Sequence, residues 1–340
     1  MRSRRLFVVA LLGVALSLTS CASIKTSIKA VVPKPVEKNV LSGRVGTNGP
    51  VLVVKVDDTN SAHPQIGLED ADVVYIEQVE GGLTRLAAVF SSVIPTRIGP
   101  VRSARISDID ILSQYGRVAF AYSGAQRKLL PVIAAANLLN LGAQLQSPTI
   151  YTNDPARNAP YSMVLRADLL MQEIKERSLT VDSAKSVGWS FGDKYLAGAP
   201  ISRVVLHWPA ATYSAVWSAE EKRWHLTHNN EADVSKSGKI LGPTTLVIQM
   251  VSITPSIYSD KFGGVTPFSQ TVGTGTGYIL RDGMSITATW SRPSALDATT
   301  WSALDGSAID FAPGAVWVAL TDKEPDFTLI PVSASPSPTK

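Results

Sequence analysis

The pattern of apolar and polar positions divides the chain into three regimes. A continuous apolar run covers 6–18, directly after Arg2, Arg4 and Arg5. Residues 22 to about 48 show no sustained periodicity, and Pro33, Pro35, Gly43, Gly46 and Gly49 punctuate that region. Beyond it, short β-branched or alternating runs recur, with a few stretches at helical spacing between them. Two-residue alternation predicts half-buried strands, and recurrence at three and four residues predicts amphipathic helices.

In the first half of the body, 49–198, strands are expected over 51–56, 73–79 and 84–93. The second and third of these flank Gly81-Gly82, whose freedom at positive φ suits a tight hairpin turn. A helix is expected over 103–115, with Ile106, Ile109 and Leu112 on one face, then a strand over 118–122. A second helix over 126–139 would be kinked or restarted at Pro131, where the ring removes a helical hydrogen bond. A third helix, 167–177, places Leu169, Leu170 and Ile174 on one face and Lys175 and Arg177 near its C-terminal end, as the helix dipole favours.

The second half, 199–330, is expected to be rich in strands, at 201–208, 214–217, 224–227, 245–251, 277–280, 285–290, 300–303, 308–311 and 316–320. Asp282-Gly283 and Asp305-Gly306 are strong hairpin signals within it. Trp208, Trp217, Trp224, Trp290, Trp301 and Trp317 all fall here, as core or cross-strand residues or, alternatively, as a sugar-stacking surface pair. The expected fold class is α+β, with an N-terminal mixed α/β-rich domain at 49–198 and a C-terminal, mostly antiparallel β domain at 199–330. A Ser/Pro-rich disordered tail at 331–340 is expected to follow.

Charge sharpens the reading of the N-terminus. The first fifty residues hold eight basic side chains and one acidic one, +7 in all, so the chain's net +4 leaves about −3 for the rest. A slightly acidic body argues against nucleic-acid binding. The basic start, the apolar core and Leu18-Thr19-Ser20-Cys21 form a signal peptide, 1–20, ending in a lipobox, with Cys21 as the lipidation site. The apolar core is shorter than the roughly 18–20 residues needed to span a bilayer. The protein is therefore expected on the extracytoplasmic face of the cell membrane, held by acyl chains such as palmitate on Cys21. Lys25, Lys29, Lys34 and Lys38, in a tether over 21–48, would lie near anionic headgroups. Ser3-Arg4-Arg5-Leu6-Phe7 leaves twin-arginine export open beside the general secretory route. Cys21 is the only cysteine, which excludes an intrachain disulfide and a thiolate metal site.

No G-x-S-x-G elbow, Walker loop or H-E-x-x-H is present. The densest polar stretch is 70–105. There Arg85, Arg102, Ser103 and Arg105, with Glu77 and Glu80, form the candidate ligand-binding set. If a helix begins near Ser103, its free N–H groups and the guanidinium forks would suit a carboxylate or phosphate. The alternative is a structural ion-pair cluster in which Asp72, Glu77 or Glu80 hold the arginines. Glu77 and Glu80 also invite an acid–base pair, although odd spacing on a strand would turn them to opposite faces. His225 and His228 face the same objection, so neither a metal nor a cofactor is expected. Gly273-Thr274-Gly275-Thr276-Gly277 precedes a strand, which fits a turn or a close backbone approach and not a dinucleotide loop.

Several stretches together resemble the YerB-like lipoproteins, a family known as domain of unknown function 3048. They are His63-Pro64-Gln65-Ile66-Gly67-Leu68, Ala71-Asp72-Val73-Val74-Tyr75, Val79-Glu80-Gly81-Gly82-Leu83-Thr84-Arg85 and, most specific, Ile98-Gly99-Pro100-Val101-Arg102-Ser103-Ala104-Arg105. Gly275-Thr276-Gly277, Asp282-Gly283, Trp290, Asp305-Gly306 and Pro313-Gly314-Ala315-Val316-Trp317 extend the resemblance into the second half. After Asn158-Ala159-Pro160 the family tends to continue with His-Asn, where this chain has Tyr161-Ser162, and the strand after Trp217 fits the family poorly. The resemblance implies two interlocked domains and no established activity. The functional expectation is a non-catalytic envelope protein that binds or scaffolds a cell-wall polymer or an envelope protein. The alternative is an envelope hydrolase or transferase acting on wall glycan or peptide through Glu77 or Glu80.

Overall fold

The computed structural model describes residues 36–192 and 198–330. The expected signal peptide, Cys21, the expected tether up to residue 35 and the expected 331–340 tail lie outside the described residues. The described residues from Glu37 onward belong to one compact unit. Among the described residues no helix is long and apolar enough to cross a membrane.

A large sheet organises this unit. Its centre is β1 (Leu52–Asp57), β2 (Val73–Gln78) and β3 (Thr84–Phe90), with β3 antiparallel between the other two. Alternation explains why all three are buried along nearly their whole length. Leu52, Val54, Val56, Val74, Ile76, Leu86 and Ala88 feed one core, while Val53, Val73, Tyr75, Ala87 and Val89 feed another on the opposite face. Beyond β1 lie the parallel strands Val118–Ala121 and Leu138–Asn140. On the other side, Val316–Thr321 runs parallel to β2 and to Thr245–Met250. A strand from the end of the chain is thus inserted between strands from both sequence halves, and one sheet joins them. The order continues through the hairpin Gly273–Arg281/Met284–Arg292 to Ala199–Trp208, Ala211–Ser218 and Arg223–His228.

Most predicted strands are present, but helix is scarcer than an α+β fold implies. Among the described residues the α-helices are α1 (Ser107–Ser113), α2 (Leu130–Ala135) and α3 (Ala167–Glu176), and strands dominate. The helix α1 starts four residues later than expected because residues 102–104 are extended. Arg102 N–H donates to the Lys55 carbonyl (2.8 Å) and Ala104 N–H to the Gly124 carbonyl (2.8 Å). In α2, Pro131 sits in the first turn, where its missing N–H costs nothing, so it opens the helix and does not kink it. The expected 126–139 helix then gives way to the Leu138–Asn140 strand.

Gly81 and Gly82 do supply the hairpin, at φ 71° and 74°. In the 273–277 run the reason for glycine is space: a Cβ on Gly277 would sit 2.2 Å from the Ile248 carbonyl oxygen, and one on Gly275 would sit 2.7 Å from Trp290 Nε1. Trp208, Trp224, Trp290, Trp301 and Trp317 are buried, which leaves no exposed pair among them for sugar stacking.

The expected tether is built into the body from Asn39 onward, where Asn39, Leu41 and Ser42 are buried. Asp72 fixes it. Its carboxylate accepts from Ser42 Oγ (2.6 Å), from the N–H groups of Ser91 and Ser92 (2.8 Å each) and from Ser92 Oγ (2.5 Å). Asp72→Ala would leave the buried Ser91 N–H, the half-buried Ser92 N–H and the buried Ser42 hydroxyl without their acceptor. It is expected to lower the unfolding free energy by about 3 kcal/mol in urea titration.

Candidate functional site

The hairpin joining β2 and β3 ends at one rim of the sheet, where the apolar row of one face gives way to charge. Asp57, Arg85 and Glu77 stand opposite one another across β1, β3 and β2, and Lys55 lies two residues before Asp57 on the same face. Next to this rim is an open cavity of about 620 Å³. Glu80, Arg85, Arg102, Ser103 and Arg105 line it, so five of the six expected residues meet there.

Glu77 does not join them. It is fully buried, hydrogen-bonded to Lys55, whose ammonium also reaches Asp108 Oδ1 at 2.8 Å. Burial pushes the Glu77 carboxyl up to about 7 against the pull of Lys55, and Asp108 adds to the rise. A carboxylate sealed in this way is structural.

The arginines differ in how they are held. Arg105 forks onto Glu80 Oε2 through Nε (2.8 Å) and a terminal nitrogen (2.7 Å), and Thr266 Oγ1 donates to the other Glu80 oxygen. Burial would raise Glu80, but these partners, Arg105 foremost, hold it below the usual carboxylate range. Arg102 pairs with Asp57 at 2.6 Å, and its guanidinium lies 5.7 Å from the centre of the Tyr161 ring. Among the described residues Arg85 has no carboxylate within ion-pair distance, though Asp57 and Glu80 favour its charge from further off. It is 8 % exposed, one terminal nitrogen donates to the Ser103 carbonyl (3.1 Å), and its Nε has no partner. Burial, with Arg105 adding to it, pulls Arg85 down to about 10, still cationic at neutral pH.

The structural ion-pair alternative therefore holds for Arg105 and, through the unforeseen Asp57, for Arg102. It does not hold for Arg85, and Asp72 is engaged elsewhere. Ser103 is not a helix cap: α1 begins at Ser107, and Asp108 Oδ2 takes the Arg105 N–H (2.7 Å). Side chains, not a helix end, make the site.

Sequence reasoning missed the far wall. The antiparallel pair Ile253–Ser259 and Val265–Ser269 crosses over from the second half and brings Ser259, Asp260, Lys261 and Phe262 to the cavity. Arg127 and Gln126 come from the turn before α2. The cavity wall thus carries Arg85, Arg102, Arg105, Arg127 and Lys261 against Glu80 and Asp260, an excess of three positive charges. Phe262 is 85 % exposed at the lip, with Lys261 Nζ 4.8 Å from its ring centre. Such a wall suits an oxyanion.

Comparison with known proteins gives a consistent picture of relationship. A stretch of 62 residues is 47 % identical to the Bacillus subtilis (strain 168) protein described as "Putative lipoprotein YerB". That stretch covers only 18 % of this chain and 18 % of the relative. The fold as a whole is similar to the crystal structure of the YerB protein from Bacillus subtilis, with a TM-score of 0.72 at 17 % identity, covering 85 % of this chain and 99 % of that one. The family described as protein of unknown function (DUF3048) matches through its N-terminal domain at residues 39–180 and its C-terminal domain at residues 204–318, and the chain belongs to this family.

Proposed function

We propose that this protein is an envelope lipoprotein, anchored through Cys21, that binds an anionic cell-wall component or envelope protein in the arginine-lined cavity. The observation that carries the reading is Arg85. A buried guanidinium without a carboxylate is costly, and here it sits on the wall of an open, electropositive cavity. An anionic ligand with two free oxygens would offset that cost. The description of the Bacillus relative as a lipoprotein supports the anchoring part. Hydrolysis or transfer through Glu77 and Glu80 has less support, since Glu77 is sealed beside Lys55 and Glu80 is occupied by Arg105 and Thr266.

The test incubates the full chain with purified sacculi, pellets the wall and analyses the supernatant by mass spectrometry. The expected result is an unaltered wall that carries down the wild type and less of an Arg102→Ala/Arg105→Ala variant. Released fragments that vanish with Glu77→Gln or Glu80→Gln would establish an enzyme instead. Glu80→Gln separates the two readings by sign. Removing the carboxylate frees the Arg105 fork, so retention on the wall should tighten by about fivefold to tenfold, whereas a catalytic Glu80 would lose activity.

A further inference from the structure

A second polar cluster lies away from the arginine cavity, where the two sequence halves meet. Asp58 follows β1, His63 lies in the next loop, His228 ends the strand Arg223–His228, and Asp233 follows shortly after. His225 points elsewhere, to Glu221 at 3.0 Å, as the odd spacing within that strand requires. The partner of His228 is instead His63, 165 positions earlier, and the two rings stack with centres 4.5 Å apart and planes 8° from parallel. Donor atoms of Asp58, His63 and His228 all lie within 4.8 Å of one another. His63 Nδ1 lies 3.2 Å from Asp233 Oδ1, and Nε2 lies 3.4 Å from Asp58 Oδ1.

His63 lies between two buried carboxylates. Asp58 and Asp233 are both fully buried. Tyr213 Oη (2.6 Å) and Thr84 Oγ1 (2.5 Å) donate to Asp58. Neither oxygen of Asp233 has an aligned hydrogen-bond donor, and the buried Gln65 Oε1 nearby is also unpartnered. A divalent cation held among these groups would supply positive charge beside two buried carboxylates.

We propose that Asp58, His63 and His228 form a binding site for a divalent transition metal of the zinc class, with Asp233 orienting His63 from behind. Two imidazoles and one carboxylate are a donor set that such metals favour, and three protein ligands leave a coordination position open. An outer carboxylate on the distal imidazole nitrogen fixes the tautomer that presents the other nitrogen to the metal. Metal–ligand distances of roughly 2.0–2.2 Å place tetrahedral donors about 3.3–3.6 Å apart, so uptake requires the stacked rings to turn until both in-plane nitrogen lone pairs meet at the ion. Access exists as well: His63 forms part of the wall of an open cavity of about 430 Å³, together with Tyr161, Arg157 and Lys236. None of Asp58, His63, His228 and Asp233 lines the arginine cavity, although Asp58 follows the Asp57 that pairs with Arg102.

The test is isothermal titration of zinc chloride into the full chain, solubilised in detergent, stripped with chelator and desalted. One equivalent should bind with a dissociation constant below about 1 µM. His63→Gln and His228→Gln should each weaken it by about a hundredfold or more, and Asp233→Asn by about tenfold to a hundredfold. His207→Gln/His225→Gln should leave the affinity unchanged. Near-UV circular dichroism confirms that each variant is folded, and the wild-type titration needs no variant. Absence of saturable uptake by the wild type overturns the proposal. So does wild-type affinity in a folded His228→Gln variant, or loss of uptake in the His207→Gln/His225→Gln variant.

Discussion

Arg85→Met is expected to raise the stability of the fold by about 1–3 kcal/mol while reducing retention on the cell wall at least tenfold. The opposite signs follow from the same feature. Arg85 is buried, has no carboxylate in ion-pair contact, and has one hydrogen bond to the Ser103 carbonyl, which also receives a long bond (3.4 Å) from Arg105. Folding must therefore desolvate a cation whose nearby acids, Asp57 and Glu80, only partly offset the cost. Methionine fits a similar volume with no charge to bury. A buried cation that lowers stability at a cavity wall is the pattern expected of a functional group. Urea unfolding and wall sedimentation on the same preparations check both signs. A loss of stability in this variant would place Arg85 among the structural ion pairs.

Lys55→Met should have the opposite effect on the fold, lowering the unfolding free energy by about 3–5 kcal/mol. Lys55 is fully buried within β1, and its ammonium serves both Glu77 and Asp108, each fully buried. Removing it leaves two carboxylates facing each other without a cation. The same cluster predicts a pH dependence. Glu77 is pushed up to about 7 from its ordinary 4.5, so the folded state holds a proton that the unfolded state releases. The stability this group contributes is complete below about 4.5 and is lost as pH rises through about 7. Glutamine stays neutral throughout, so any deficit of Glu77→Gln against wild type should narrow between pH 5 and pH 8. Urea unfolding at the two pH values measures it.

The strands were legible because their alternation is simple and their turns carry Gly-Gly or Asp-Gly. The candidate arginines were legible because they are dense over 85–105 and because β3 and the extended 102–104 segment bring them to one sheet rim. Three features were not. Glu77 looked available, yet Lys55 inside the apolar run 51–56 was a signal that a buried lysine needed a buried carboxylate. The far wall was hidden because its two strands carry Pro255 and Pro267, paired with each other in register, which weakens any strand pattern read from sequence. The meeting of His63 with His228 depends on long-range sheet topology, which local spacing does not encode. The helices were overextended because extended pairing at 102–104 and the Leu138–Asn140 strand took residues that propensity alone assigns to helix.

The most direct test of the cavity's role is a sedimentation isotherm on purified sacculi for three forms of the full chain: wild type, Arg85→Met and Glu80→Gln. The arginine cavity predicts the affinity order Glu80→Gln, then wild type, then Arg85→Met, with at least tenfold between the last two. Equal affinities for all three, or a wild type that stays in the supernatant, would contradict it.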